Sequence, residues 1–208
     1  PVALYLAAAG VGTLVLADHD QVDLTNLQRQ IIHQNADIGR AKVDSAGDRL
    51  QALNPQVTIR RIQQALADRT LQEAVADVDL VLDCSDNFAT RQAVNVACVF
   101  LKKPLVSGAA IRLEGQLSVF DPRQADSPCY QCLYGNGGEE ALSCSEAGVI
   151  GPLVGLVGSL QALEALKLLA GFGEPLVGRL LLIDALSSRF REMRIRRDPA
   201  CACCGTGQ

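Results

Sequence analysis

The sequence predicts an α/β fold, a Rossmann-like and mostly parallel sheet continued by antiparallel strands. Three observations predict it. Apolar runs of strand length end on carboxylates at Asp18 and Asp83. Segments with helical spacing separate such runs, which implies right-handed crossovers and parallel pairing. The strand patterns at 115–121 and 179–197 lack short intervening helices, which suits an antiparallel continuation.

Each element has a local reason. Residues 2–9 carry a helical pattern closed by Gly10, and 12–17 form a buried strand. Across 40–53, Ala41, Val43, Ala46, Leu50 and Leu53 recur at helical spacing, and Asn54 with Pro55 stops the helix. Residues 57–62 read as a strand, 70–76 as a short helix and 79–83 as a buried strand. A helix over 88–101 and a strand over 104–107 complete the alternating half.

The apolar stretch 151–171 has the length of a membrane span, but Gln161, Glu164 and Lys167 interrupt it. Pro152 and Gly171 mark its start and stop, so it reads as a buried helix, with no membrane partner. Gly151, Gly155 and Ser159 recur every four positions along it, a spacing that admits another helix of the same chain.

The totals bound the function. A chain of 208 residues is long enough for one domain with a core, and 1–208 is read as one. Hydrophobic content of 49% with 20% charged residues describes a globular protein. A net charge of −4 argues against nucleic acid, which needs a basic face. Aromatic residues at 4% and the absence of Trp remove base-stacking platforms. No basic segment precedes the apolar start, so no secretory signal is read and a reducing, cytoplasmic compartment is expected. Pro1 directly ahead of a helical run resembles the first position of a helix whose preceding strand and loop are missing.

Candidate chemistry gathers in two places. Asp18 stands at the carboxyl end of a strand, where open α/β sheets hold a nucleotide ribose. Asn26, Arg29 and Lys42 follow, donors of the kind that hold phosphate oxygens. The bland reading makes Asp18 a turn residue, Thr25 or Asn26 a helix cap, and Asp20 and Asp23 solvated turn carboxylates. What lifts the group is the second acidic strand end, Asp83-Cys84-Ser85-Asp86-Asn87, expected on a neighbouring parallel strand and so on one rim. Asp83 closes the loop, and Asp86 is the candidate magnesium ligand beside substrate phosphates.

The eight cysteines form the second place. Cys129 with Cys132 and Cys201 with Cys204 make two C-x-x-C knuckles, enough for a closed tetrahedral zinc site with no open position for catalysis. Cys203 is an alternative ligand within C-A-C-C. Cys144, in a polar stretch, is either a reactive thiol or an inert loop residue. Cys84 and Cys98 read as core, His19 and His33 as structural. The basic run at 189–197 reads as a solvated strand face, with docking of an acidic partner as the other reading.

These residues resemble the MoeB/ThiF family, the bacterial relatives of ubiquitin-activating enzymes. The likeness runs through A-A-A-G-V-G-T-L-V-L-A-D, L-T-N-L-Q-R-Q, D-I-G-R-A-K and V-L-D-C-S-D-N-F-A-T-R. It continues through P-L-V-S-G-A-A-I-R-L-E-G-Q, P-C-Y-Q-C-L, A-G-V-I-G-P-L-V-G and D-P-A-C-A-C-C-G.

The resemblance implies MgATP-dependent adenylation of the C-terminal glycine of a ubiquitin-like sulfur carrier, by a homodimer. It implies that Asp18 holds the ribose and that Asn26, Arg29, Gln30 and Lys42 hold phosphates. Asp86, with Asn87 beside it, would serve magnesium and the reacting centre, and the four paired cysteines would hold zinc. The family's glycine-rich phosphate loop and an arginine given across the dimer would precede Pro1.

Residues 104–116 lean toward the branch that serves a MoaD-type carrier in molybdenum cofactor synthesis, placed first here. Residues 10–18 lean toward the branch that serves a ThiS-type carrier in thiamine synthesis. Cys144 matches a position where thiamine-type members use a thiol in sulfur transfer. Two rivals of another class are a nicotinamide-dependent oxidoreductase and a non-catalytic, zinc-stapled interaction module.

Overall fold

The computed structural model describes residues 1–135 and 148–205. Helix α1 (Val2–Ala8) leads to strand β1 (Thr13–Ala17) through Gly10, whose φ of 81° lets the N–H groups of Gly10 and Val11 turn back onto the Ala7 and Leu6 carbonyls. Two short 3₁₀ turns, Leu24–Asn26 and Asn35–Asp37, precede α2 (Lys42–Leu53). Strand β2 (Thr58–Ile62) then pairs parallel with β1, Thr13 opposite Thr58.

Helix α3 (Asp68–Ala76), strand β3 (Val81–Asp83) and helix α4 (Phe88–Phe100) follow. Strand β4 (Leu105–Ile111) pairs parallel with β3. Next come β5 (Glu114–Phe120), the five-residue helix α5 (Tyr130–Tyr134), the long helix α6 (Gly151–Ala170), β6 (Arg179–Asp184) and β7 (Arg189–Arg194). The β4–β5, β5–β6 and β6–β7 pairs are antiparallel. Parallel pairing with helical crossovers and the antiparallel continuation are thus both present.

One expectation needs correction. β1 and β3 do not pair: β1–β2 forms one ladder and β3-β4-β5-β6-β7 another. The two ladders share a core instead, since Leu80 and Leu82 pack against the cluster of Leu6, Leu14, Leu50 and Ala165. The stretch 179–197 resolves into a hairpin whose turn is capped by the Asp184 carboxylate, which accepts from Leu186 N, Ser187 N and Ser187 Oγ. All six residues of β7 are exposed, as a solvated strand face requires.

Helix α6 is long and apolar enough to cross a membrane, yet it lies against β4, β5 and α1. Its polar residues are used inside the protein. Gln161 Nε2 donates to the carbonyls of Asp83 (2.9 Å) and Val106 (3.4 Å), tying the helix to the ends of β3 and β4. The buried Glu164 carboxylate accepts from Lys167 Nζ at 2.6 Å and from Leu176 N at 2.7 Å. An unpaired polar group in the interior is costly, and pairing of this kind removes that cost.

The small-residue spacing on α6 acts differently from expectation. A Cβ at Gly155 would meet nothing within 4 Å, whereas at Gly158 it would sit 3.0 Å from Pro1 Cβ. The close approach of α1 therefore falls at Gly158. At Gly151 a Cβ would lie 2.3 Å from the Gln28 carbonyl oxygen, so the start of α6 abuts the loop before α2.

Candidate functional site

Asp18 follows the last residue of β1, with its N–H bonded to the Ile62 carbonyl and its Oδ1 accepting from Asp20 N at 2.9 Å. The second carboxylate oxygen stays open toward Lys42, 3.8 Å away. Lys42 is the first residue of α2, and its ammonium rests 2.7 Å from Asp20 Oδ2 with only 12% of the side chain exposed. The Lys42 ammonium holds the Asp20 carboxyl below the usual carboxylate range, against an opposing effect of burial. Asp20 is thus a partner of the phosphate-type lysine and not the freely solvated turn residue expected. The oxygens of Asp18 and Asp20 and a His19 ring nitrogen lie within 4.8 Å of one another, but this exposed group already pairs with the Lys42 ammonium.

The loop between β1 and α2 holds the other donors. Its cap is Asp23, whose Oδ1 accepts from Thr25 N (2.8 Å) and Thr25 Oγ (2.6 Å), so neither Thr25 nor Asn26 caps it as expected. Asn26 Oδ1 returns the bond by accepting from Asp23 N at 3.3 Å, which leaves its amide nitrogen as the group to donate. Arg29 is half-buried and its Nη1 donates to the Thr25 carbonyl at 3.2 Å. Gln30 Oε1 is buried and has no hydrogen-bond partner among the described residues, an acceptor of the sort a ligand satisfies. His33 beneath them is buried, its Nδ1 2.8 Å from Ser45 Oγ, and burial pulls its pKa down.

The second acidic loop leaves β3. Asp83 is buried, with Oδ1 accepting from Ser85 N (3.0 Å) and Ser85 Oγ (2.7 Å), the loop-closing role expected of it. Asp86 is exposed, and among the described residues nothing pairs with its carboxylate. Asn87 caps α4 by accepting from Thr90 N at 2.8 Å. Cys84 is exposed as a residue where a core thiol was expected, with its sulfur 3.9 Å from Gln161 Oε1. Cys98 is buried, and burial pushes its thiol up to about 12. Cys144 lies outside the described residues.

The cysteine knuckles converge from 72 positions apart. Sulfur separations are 3.9 Å for Cys129–Cys132, 3.7 Å for Cys129–Cys201 and 3.4 Å for Cys132–Cys204, and all four lie within 4.8 Å of one another. Cys203 is not among the four gathered sulfurs, and its Sγ accepts from Asn95 Nδ2 at 3.3 Å. Asp198 N donates to Cys132 Sγ at 3.4 Å, the outer bond that orients a metal-binding sulfur. Four sulfurs in this arrangement fit a tetrahedral thiophilic ion such as zinc.

An α/β domain with a carboxylate–lysine pair at a parallel strand end, stapled by a four-cysteine knuckle, is the class that fold and clusters define. The sequence pattern of the ThiF family matches residues 1–203, and the chain belongs to that family. It is 51% identical to the molybdopterin-synthase adenylyltransferase of Escherichia coli over 201 residues, which cover 97% of this chain and 80% of that protein. It is 50% identical to the sulfur carrier protein ThiS adenylyltransferase of E. coli over 205 residues, 99% of this chain and 81% of that one. The crystal structure of E. coli MccB shares the fold, with a TM-score of 0.86 at 22% identity over 100% of this chain and 62% of that one.

Proposed function

We propose that this chain, as one adenylation domain over 1–208, transfers the adenylyl group of ATP to the C-terminal glycine carboxylate of a ubiquitin-like sulfur carrier. One carboxylate oxygen attacks the α-phosphorus, the bond to the bridging oxygen breaks, and pyrophosphate leaves with that electron pair. The carrying observation is the neighbourhood of Asp18 and Lys42, a sugar-type acceptor 3.8 Å from a phosphate-type cation at the end of β1. The adenylyltransferase names of relatives at about half identity support the same reading.

The attacking carboxylate has a pKa of about 3.5 and is ionised at neutral pH, so no general base is needed. The work is to bring anions together and to neutralise developing charge. In this reading Asp18 accepts from the ribose hydroxyls. Lys42 leaves Asp20 for the phosphates, joined by Arg29 and the amide groups of Asn26 and Gln30. Asp86 and Asn87 stand at the reacting centre, where Asp86 binds magnesium. The ion would supply charge neutralisation at the phosphate oxygens. Zinc on Cys129, Cys132, Cys201 and Cys204 would supply a structural staple, and thiolates in that role suit a reducing cytoplasm. A homodimer belongs to this reading through the family resemblance.

A MoaD-type carrier of the molybdenum cofactor route is the first substrate assignment. A ThiS-type carrier of the thiamine route is the second, favoured by the 50% identity to the ThiS adenylyltransferase. ATP–pyrophosphate exchange by the natural full-length protein tests the proposal with carriers of both types ending in Gly-Gly. Exchange that requires the carrier is the expected result. NADH binding with no ATP binding would replace this reading with the oxidoreductase, and neither activity with intact metal would leave the interaction module.

A further inference from the structure

Arg91 is used by none of the roles above, yet it reaches back to two residues of the second acidic loop, Ser85 and Asp83. It lies on α4, four residues past the Asn87 cap, with 13% of its side chain exposed. Its Nη2 donates to the Ser85 carbonyl at 2.6 Å. Its Nε lies 3.9 Å from Asp83 Oδ2, is buried, and makes no hydrogen bond among the described residues. Asp83 is 2% exposed in its side chain, and Arg91 is its ion-pair partner among the described residues.

The guanidinium is also within electrostatic reach of the Tyr130 side chain, whose ionisation burial opposes. Tyr130 sits between the knuckle ligands Cys129 and Cys132. Its N–H is held by Asn95 Oδ1 at 2.9 Å, and its ring packs 4.4 Å from that of Tyr134 and 6.1 Å from that of Phe88. Arg91 therefore spans two bodies, the loop that presents Asp86 and the cysteine knuckle.

We propose that Arg91 is a positioning residue for Asp86: it clamps the Ser85 carbonyl, neutralises Asp83, and is itself braced by Tyr130 at the metal knuckle. The inference rests on the adenylation reading, with Asp86 at the reacting centre. The physical argument is geometric. Among the described residues Asp86 carries no brace of its own, so the backbone at Ser85 decides where its carboxylate stands. A planar fork can bond Ser85 O while facing Asp83 and Tyr130, and a lysine ammonium cannot reach all three. A displacement of about 1 Å at a reacting group can cost on the order of 100-fold in rate.

The test uses the natural full-length protein in carrier-dependent pyrophosphate exchange, with Arg91→Lys, Tyr130→Phe, Asp86→Asn and the Arg91→Lys/Asp86→Asn double variant. Arg91→Lys is expected to keep its metal and its KM for ATP within about 3-fold, because the ribose and phosphate donors lie elsewhere, while kcat falls by roughly 10- to 100-fold. Tyr130→Phe, a milder change that folds even if the lysine variant does not, lowers kcat in the same sense by roughly 3-fold or more. The double variant is no slower than Asp86→Asn alone, since residues acting through one another are not additive.

Wild-type kcat in Arg91→Lys and Tyr130→Phe overturns the proposal. So does a loss confined to KM for ATP, or a double variant whose losses multiply. Absence of exchange in the wild type with every carrier offered would instead strike the adenylation reading itself.

Discussion

Lys42 Nζ and Asp20 Oδ2 lie 2.7 Å apart across 22 positions of sequence, so the lysine assigned to phosphate is held in place by a carboxylate before any nucleotide arrives. Asp20 is exposed, and such pairs contribute about 0.2–1 kcal/mol. ATP can therefore displace it at little cost. Lys42→Ala and Arg29→Ala are each expected to lower kcat/KM for exchange by roughly 100-fold or more. Their melting temperatures should move by under about 4 °C, and Asp20→Asn should change KM for ATP by less than about 5-fold. Full activity in Lys42→Ala would remove the phosphate role.

Gly151 and Gly155 make a matched pair of probes. Ala at 151 places a Cβ 2.3 Å from the Gln28 carbonyl and so pushes the backbone that leads into Arg29. Gly151→Ala is expected to lose about 1–3 kcal/mol of stability and to raise KM for ATP several-fold, by roughly 10-fold if Arg29 moves with the loop. Gly155→Ala meets open space and should gain about 0.5–1 kcal/mol from helix propensity. Equal behaviour of the two in denaturation and kinetics would sink the contact argument.

Cys129→Ser removes one corner of the four-sulfur cluster. Metal content, read by elemental analysis, should fall from about one to near zero per chain. A loss of a few kcal/mol lowers the melting temperature by about 10 °C, at roughly 2–4 °C per kcal/mol for a chain of this size. Cys203→Ser should keep the metal, because its sulfur faces Asn95. Metal loss there instead would reassign the fourth ligand.

His33 gives stability a pH dependence of known sign. Burial lowers its folded pKa, aided by Lys42 and opposed by Asp37 and Asp18. The unfolded chain, with a histidine pKa of about 6.5, therefore binds more protons than the folded one near that pH, and stability rises with pH there. The contribution is fully present above about pH 6.5 and is lost as pH falls through the lower folded value. Denaturant titrations between pH 5 and 8 should show this slope in the wild type and a flatter one in His33→Gln. The same slope in both would assign it to other groups.

Cys144 separates adenylation from later sulfur chemistry. Cys144→Ala should keep carrier-dependent exchange within about 2-fold, since carboxylate activation needs no thiol. With a MoaD-type carrier, sulfur transfer should survive as well. Its selective loss would point to the thiamine-type branch.

Much of this protein was readable in one dimension because the signals are local. Helical spacing located α2 and α6 to within two residues, and Asn54 and Gly171 mark their ends as expected. The two-residue gaps of the cysteine knuckles identified a four-thiolate cluster, since that gap suits one tetrahedral ion whatever the fold brings between them. The donor-rich stretch 18–42 was legible as residue types, though not as an arrangement.

What stayed hidden depends on contacts between distant segments. The Lys42–Asp20 pair and the bond from Asn95 to Cys203, 108 positions apart, need the chain to close on itself. Short helix α5 was missed because five residues cannot show a period. The spacing of Gly151, Gly155 and Ser159 was visible, but only packing decides which small residue meets a neighbour, and it selected Gly151 and Gly158.

Sequence alone determined the types of the longer elements, the family resemblance and the donor and thiol types available, because backbone periodicity and side-chain donors are properties of short stretches. Tertiary structure decided which carboxylate holds Lys42, which cysteines share a site, and how Arg91 links the Asp86 loop to the knuckle. Those outcomes are set by contacts of 2.6–3.9 Å, which exist only once the chain has folded.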